Sequence, residues 1–146
     1  MENKILNLNN IILNVKSESK IEAIERSGRL LIENGYVKRN YIEGMKKREE
    51  VVSTFLGNGV AIPHAINEYK KEILNTGIVI TQYKDGIDYG DGNIAYILIG
   101  IAGNDDEHME ILSKIAIAIS EEKNVEILRY ATSKEEVIKI LEEGEF

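Results

Sequence analysis

Apolar positions along this chain switch between a helical and a strand-like spacing, and the switches organise it. After Ser19, the residues Ile21, Ile24, Leu31 and Ile32 recur on a roughly helical stripe, opened by a Ser19-to-Glu22 capping box and closed by Gly35. A second helix start at Asn40, with Glu43 behind it, predicts a short amphipathic piece through Met45 that ends near the charged run Lys46, Lys47, Arg48, Glu49, Glu50. The middle of the chain changes character to short β-rich runs bounded by Gly, Asn and Asp, at residues 60–62, 77–81 and 94–101. The last two are nearly continuously apolar, as in strands covered on both faces.

Helical spacing returns after Asn104-Asp105-Asp106, a run of N-cap residues. Met109, Leu112, Ala116 and Ile119 fall on one face and Ile111, Ile115 and Ala118 on the adjoining one, which predicts a deeply packed helix. A short helix carrying Val125 and Leu128 follows. A last one opens with the box Ser133-to-Glu136 and buries Val137, Ile140 and Leu141. The order predicts an α/β fold: a central mixed β-sheet flanked by helices on both faces, in a single domain over residues 1–146 with no linker or internal repeat.

Composition narrows the chemistry. The chain has no cysteine, which removes disulfides, thiolate nucleophiles, Fe–S clusters and Cys-based zinc sites. Its formal charge is −7, from 18 Lys+Arg against 25 Asp+Glu, which opposes a phosphate backbone and argues against nucleic acid as a partner. Lys46, Lys47 and Arg48 remain a local basic patch. The opening residues lack a basic segment followed by an apolar one, and no apolar run approaches the roughly 20 residues of a membrane span. The expectation is a cytoplasmic protein without membrane insertion.

Two histidines stand out. His64 lies in Gly59-Val60-Ala61-Ile62-Pro63-His64-Ala65, directly after an apolar strand that Pro63 must end because it has no N–H for the ladder. An imidazole on such a rigid stub suits group transfer. His108 falls in the first turn of the helix after Asn104-Asp105-Asp106, where the helix N-terminus favours a bound anion. Each also has an ordinary reading, as a packing or loop residue for His64 and a helix-start surface residue for His108, and Arg48 reads equally as part of a solvated face. No His-x-x-x-His spacing favours zinc. The segments Gly57-Asn58-Gly59 and Asp91-Gly92-Asn93 read as turns, since neither has the lysine of a P-loop or the Rossmann spacing. The residues alone predict a candidate histidine site and name no reaction.

The string Phe55-Leu56-Gly57-Asn58-Gly59-Val60-Ala61-Ile62-Pro63-His64 resembles the enzyme IIA domains of the mannitol/fructose class of the phosphoenolpyruvate-dependent sugar phosphotransferase system. The resemblance extends to Tyr41 through Arg48-Glu49, Thr76-Gly77-Ile78-Val79, Gln82-Tyr83-Lys84-Asp85-Gly86, Leu98-Ile99-Gly100-Ile101-Ala102, and Asn104 through Glu107-His108. The last two segments look closest to the mannitol branch. The resemblance implies that His64 is the phosphoryl acceptor, carrying a tele-phosphohistidine intermediate. It implies acceptance from the histidine-containing phosphocarrier protein and delivery to a cysteine of a cognate enzyme IIB or IIBC, in sugar uptake. His108 and Arg48 match the second histidine and the arginine that support the group in flight, with no cofactor or metal. Ala65 stands where many members have Gly, which puts the loop after His64 in question. Two other roles fit the same domain: a regulatory nitrogen-type enzyme IIA that signals by phosphorylation-dependent binding, and a plain binding module or attachment to a transcriptional activator. The retained Pro63-His64 and the lack of a second domain weigh against the latter pair.

Overall fold

The computed structural model describes residues 5–142; the first four residues of the opening segment and the last four of the chain lie outside them. Strand β1 (Ile11–Ile12) precedes helices α1 (Lys20–Glu33) and α2 (Tyr41–Val51). A short antiparallel pair, β2 (Phe55–Gly57) and β3 (Val60–Ala61), leads through a 3-10 turn at Asn67–Glu72 to the long strands β4 (Gly77–Gly90) and β5 (Asn93–Ala102). Helices α3 (Asp105–Ile119), α4 (Glu122–Tyr130) and α5 (Lys134–Glu142) complete the described chain.

The strands form one mixed sheet in the order β1-β4-β5-β3-β2. β1 runs parallel to β4 and β3 parallel to β5, while β4 and β5 form an antiparallel hairpin. Its turn, Asp91-Gly92, has φ of 55° and 80°, the positive pair that matches the twist of the flanking strands. Because successive side chains on a strand point to opposite faces, the apolar run of β5 feeds two cores. Ile97, Ile99 and Ile101 join Ile78 and Ile80 beneath α3, α4 and α5. Leu98 and Ala102 join Val79 beneath Ile24 and Leu31 of α1 and Met45 of α2. The predicted α/β sheet with helices on both faces is therefore present.

Several expectations change in detail. Helix α3 is packed on one side only. Ile111, Ile115, Ala118 and Ile119 are buried, whereas Met109 is 63% and Ile117 66% exposed. Of the first predicted stripe, Met109 and Ala116 turn outward while Leu112 and Ile119 pack against the core, and the second stripe, Ile111, Ile115 and Ala118, is buried as expected. Ile21 of the first stripe is likewise exposed, and Ala23, Ile24, Leu30 and Leu31 form the buried face of α1. Asn40 makes no side-chain cap, and α2 runs on through the charged residues to Val51, because their long side chains find acidic or aromatic partners. Strands β1 and β2 are too short for their alternation to register in the sequence. Strand β4 extends past residue 81 through bulged, more polar positions. The capping boxes at Ser19 and Ser133 both form.

Candidate active site

The parallel pairing of β3 with β5, Val60 opposite Ile97 and Ala61 opposite Leu98, sends both strands out of the sheet at the same edge. Loops beyond the carboxyl ends of adjacent parallel strands are where α/β folds gather their ligands. Here β3 exits through Pro63 to His64, and the Pro63 carbonyl accepts the Ile101 N–H at 3.0 Å, tying the exit to its neighbour. β5 exits through Gly103 into α3. A Cβ on Gly103 would lie 3.3 Å from the His108 backbone nitrogen, a close approach at the entry into the helix. The Asn104 side chain caps the helix by accepting the Glu107 N–H, and the Asn104 carbonyl accepts the His108 N–H at 2.7 Å. The exits bring two histidines, 44 residues apart in sequence, into contact: their ring centroids are 4.8 Å apart and their planes lie at 65°.

The His64 ring is held by its Nδ1, 2.7 Å from the carbonyl oxygen of Ile62. A carbonyl only accepts, so Nδ1 carries the proton and, in the neutral ring, Nε2 carries the free lone pair. Burial pushes the His64 pKa below its ordinary 6.5. The positive charge of Arg48 pushes in the same direction, against the Ile62 bond and the Glu49 carboxylate, which hold it up. The half-buried ring is thereby biased toward its neutral, nucleophilic form at neutral pH.

Arg48 lies in the last turn of α2 and donates from Nη1 to the Val52 carbonyl at 2.6 Å. Its neighbours in the basic run are engaged elsewhere: Lys46 pairs with Glu25 at 2.7 Å, and the Lys47 ammonium lies 5.4 Å from the Tyr69 ring centre. The structure thus sets His108 against the His64 ring, and the Arg48 charge acts on that ring. Val51 and Val52, beside Arg48, and Met109, beside His108, are 74%, 58% and 63% exposed, leaving apolar surface next to the charged groups.

Sequence reasoning passed over Tyr41 as a site residue. Its buried hydroxyl donates to the Ile101 carbonyl at 2.6 Å and accepts the Ala65 N–H at 3.3 Å, linking the end of β5 to the loop after His64. Burial raises that phenol to about 12, so it stays a donor. No chemical signal in the sequence marks it, because a tyrosine at a helix start is ordinary core. Ala65 itself is not among the residues with positive φ, so the loop does not need the glycine that many similar chains carry there.

A neutral imidazole with one nitrogen pinned, a guanidinium and a helix N-terminus make a site for an anionic group in transfer. The family model for the phosphoenolpyruvate-dependent sugar phosphotransferase system, EIIA 2, matches residues 4–144. The chain belongs to this family. A mannitol-specific phosphotransferase enzyme IIA component of Geobacillus stearothermophilus is 49% identical over 143 residues, covering 98% of this chain and 99% of that protein. Among solved structures, IIA mannitol from Escherichia coli is 37% identical with a TM-score of 0.88, covering 93% of this enzyme IIA and 98% of that chain. A second, from the complex of enzyme IIA and phosphorylated enzyme IIB of the same mannitol system, also from Escherichia coli, is 36% identical with a TM-score of 0.89 and covers 93% and 96%. In this enzyme IIA, no described helix is long and apolar enough to cross a membrane.

Proposed function

We propose that this enzyme IIA is a cytoplasmic phosphocarrier for mannitol uptake, taking a phosphoryl group onto Nε2 of His64 from the histidine-containing phosphocarrier protein and passing it to a cysteine of a cognate enzyme IIB or IIBC. The observation that carries the reading is the Nδ1–H bond to Ile62, which leaves Nε2 as the nucleophilic nitrogen. In acceptance, the Nε2 lone pair forms the new N–P bond as the P–N bond of the donor phosphohistidine breaks, and the released imidazole takes back that electron pair. The Nδ1 proton stays on His64, where the Ile62 carbonyl offsets the positive charge that the ring gains. In donation, the cysteine thiolate attacks phosphorus, the N–P bond breaks, and His64 returns to its neutral form.

Arg48 and His108 act on the phosphoryl oxygens. Such transfers depend on positioning and on neutralising negative charge spread over those oxygens, which a guanidinium fork and an imidazole N–H both supply. The exposed Val51, Val52 and Met109 give partners an apolar surface that excludes water during transfer. The relatives named for mannitol support that sugar system, and the IIA–IIB complex of the Escherichia coli proteins supports an enzyme IIB as acceptor.

Reconstitution tests this reading. Given labelled phosphoenolpyruvate and the general phosphotransferase proteins, the chain should become labelled and then lose the label to a mannitol enzyme IIB. Labelling without onward transfer, together with tight binding of a regulator in one phosphorylation state, would replace the carrier by the nitrogen-type regulatory role.

A further inference from the structure

Glu49 follows Arg48 directly, yet its side chain is only 5% exposed. A buried carboxylate is costly unless its oxygens are matched, and here they are. Oε1 accepts the Thr54 backbone N–H at 2.8 Å and lies 3.1 Å from the Lys20 ammonium. Oε2 accepts the Thr54 hydroxyl at 2.7 Å. Since that hydroxyl spends its proton on Glu49, the Tyr89 hydroxyl, 2.8 Å away, donates to the Thr54 oxygen. The carboxylate therefore folds residues 52–54 back against the end of α2.

Both ends of this folded segment lead to the site. The Val52 carbonyl receives the Arg48 guanidinium at 2.6 Å. The Thr54 carbonyl accepts the Ile62 N–H at 3.0 Å, and the Ile62 carbonyl holds Nδ1 of His64 at 2.7 Å. We infer that Glu49 is a positioning residue for phosphoryl transfer: by clamping Thr54 it sets, through Val52 and Ile62, the guanidinium of Arg48 and the ring of His64 in one geometry. The inference rests on the roles proposed above for His64 and Arg48. A carboxylate suits the clamp because a single group must take two donors from one residue while facing a cation. The Glu49 charge also opposes the effect of Arg48 on His64, so the clamp sits electrically as well as mechanically between the two.

The test compares Glu49→Gln and Thr54→Val with the unmodified protein in transfer to enzyme IIB. The Gln variant removes the charge and one acceptor, and the Val variant removes only the hydroxyl, so a misfolded first variant leaves the second to decide. In both, kcat should fall about tenfold or more, as for a small misplacement of reacting groups, while KM for the partner stays within about twofold. Nitrogen-15 NMR of the unphosphorylated ring should show the Nδ1–H tautomer of His64 losing population. Ile140→Val, a core trim under the opposite sheet face, should match any loss of stability without moving kcat or the tautomer. Unchanged kcat and tautomer in both clamp variants, or a loss confined to KM, would overturn the inference. Failure of the unmodified protein to carry phosphate on His64 would instead overturn the function proposed above.

Discussion

The imidazoles of His64 and His108 meet edge to face at 4.8 Å, although one follows a strand and the other opens a helix. That contact places a second ring against the one proposed to receive the phosphoryl group. On the proposed function, His108 donates a hydrogen bond to the phosphoryl oxygens and does not itself carry the group. One N–H suffices for that role. His108→Gln, which keeps a donor, should retain more transfer activity than His108→Ala. The Ala variant should lose about tenfold to a hundredfold in rate, as when one preorganised donor is removed. Neither should abolish slow labelling of His64. Single-turnover transfer with each variant measures this, and loss of all phosphoprotein in a folded His108→Ala would make His108 an acceptor or obligatory relay.

Arg48, in the last turn of α2, is held by the Val52 carbonyl, and on the proposed function it acts on the phosphoryl oxygens. Replacing it with Gln removes the charge-assisted fork while leaving a side chain of similar reach. Acceptance and donation should both slow, by about tenfold or more, with the unfolding midpoint little changed. Rates within about twofold of the unmodified protein, under roughly 0.4 kcal/mol of barrier, would return Arg48 to the surface.

The depressed pKa of His64 has two consequences for pH. On the proposed function the nucleophile is the neutral ring, so the acceptance rate should stay level as pH falls to about 6.5 and decline only below it, through the depressed value. For stability, the unfolded chain takes up a proton near 6.5 that the folded ring resists, so the unfolded state binds more protons there. Stability therefore falls as pH drops from about 6.5 toward the folded pKa. A His64→Gln variant should flatten this part of the curve in chemical denaturation at several pH values. An unchanged slope would mean that the ring is not held in its neutral form.

Tyr41→Phe removes one hydroxyl that serves both the Ile101 carbonyl and the Ala65 N–H. Leaving buried groups without partners should cost about 1–3 kcal/mol of unfolding free energy. The same change should loosen the loop after His64, seen as faster hydrogen exchange at the Ala65 amide with α5 unaffected. Equal exchange in the two proteins would show that the Tyr41 bridge does not secure the loop.

Much of this arrangement was legible in the sequence, and the reasons are local. Pro63 after an apolar run announces a strand end, and Asn104-Asp105-Asp106 announces a helix start, so the settings of His64 and His108 could be read directly. Their meeting could not. It depends on β3 pairing in parallel with β5, a non-local choice that no short spacing encodes. Arg48 was ambiguous for a related reason: Lys46, Lys47 and Arg48 look alike in the chain, and only the fold pairs Lys46 with Glu25, sets Lys47 by Tyr69 and ties Arg48 to the Val52 carbonyl. The outward face of α3 misled because Met109 and Ala116 fit a helical stripe as well as the buried residues do. Periodicity marks apolar positions on a helix and does not distinguish an exposed one from a packed one.

The central claim is that the phosphoryl group resides on Nε2 of His64 with Nδ1 still protonated against Ile62. The most direct measurement is nitrogen-15 and phosphorus-31 NMR of the protein labelled through phosphoenolpyruvate and the general phosphotransferase proteins. The account predicts one phosphorus resonance coupled to Nε2 of His64, absent in His64→Ala. A phosphorus coupled to Nδ1, bound to His108, or undiminished in His64→Ala would contradict it.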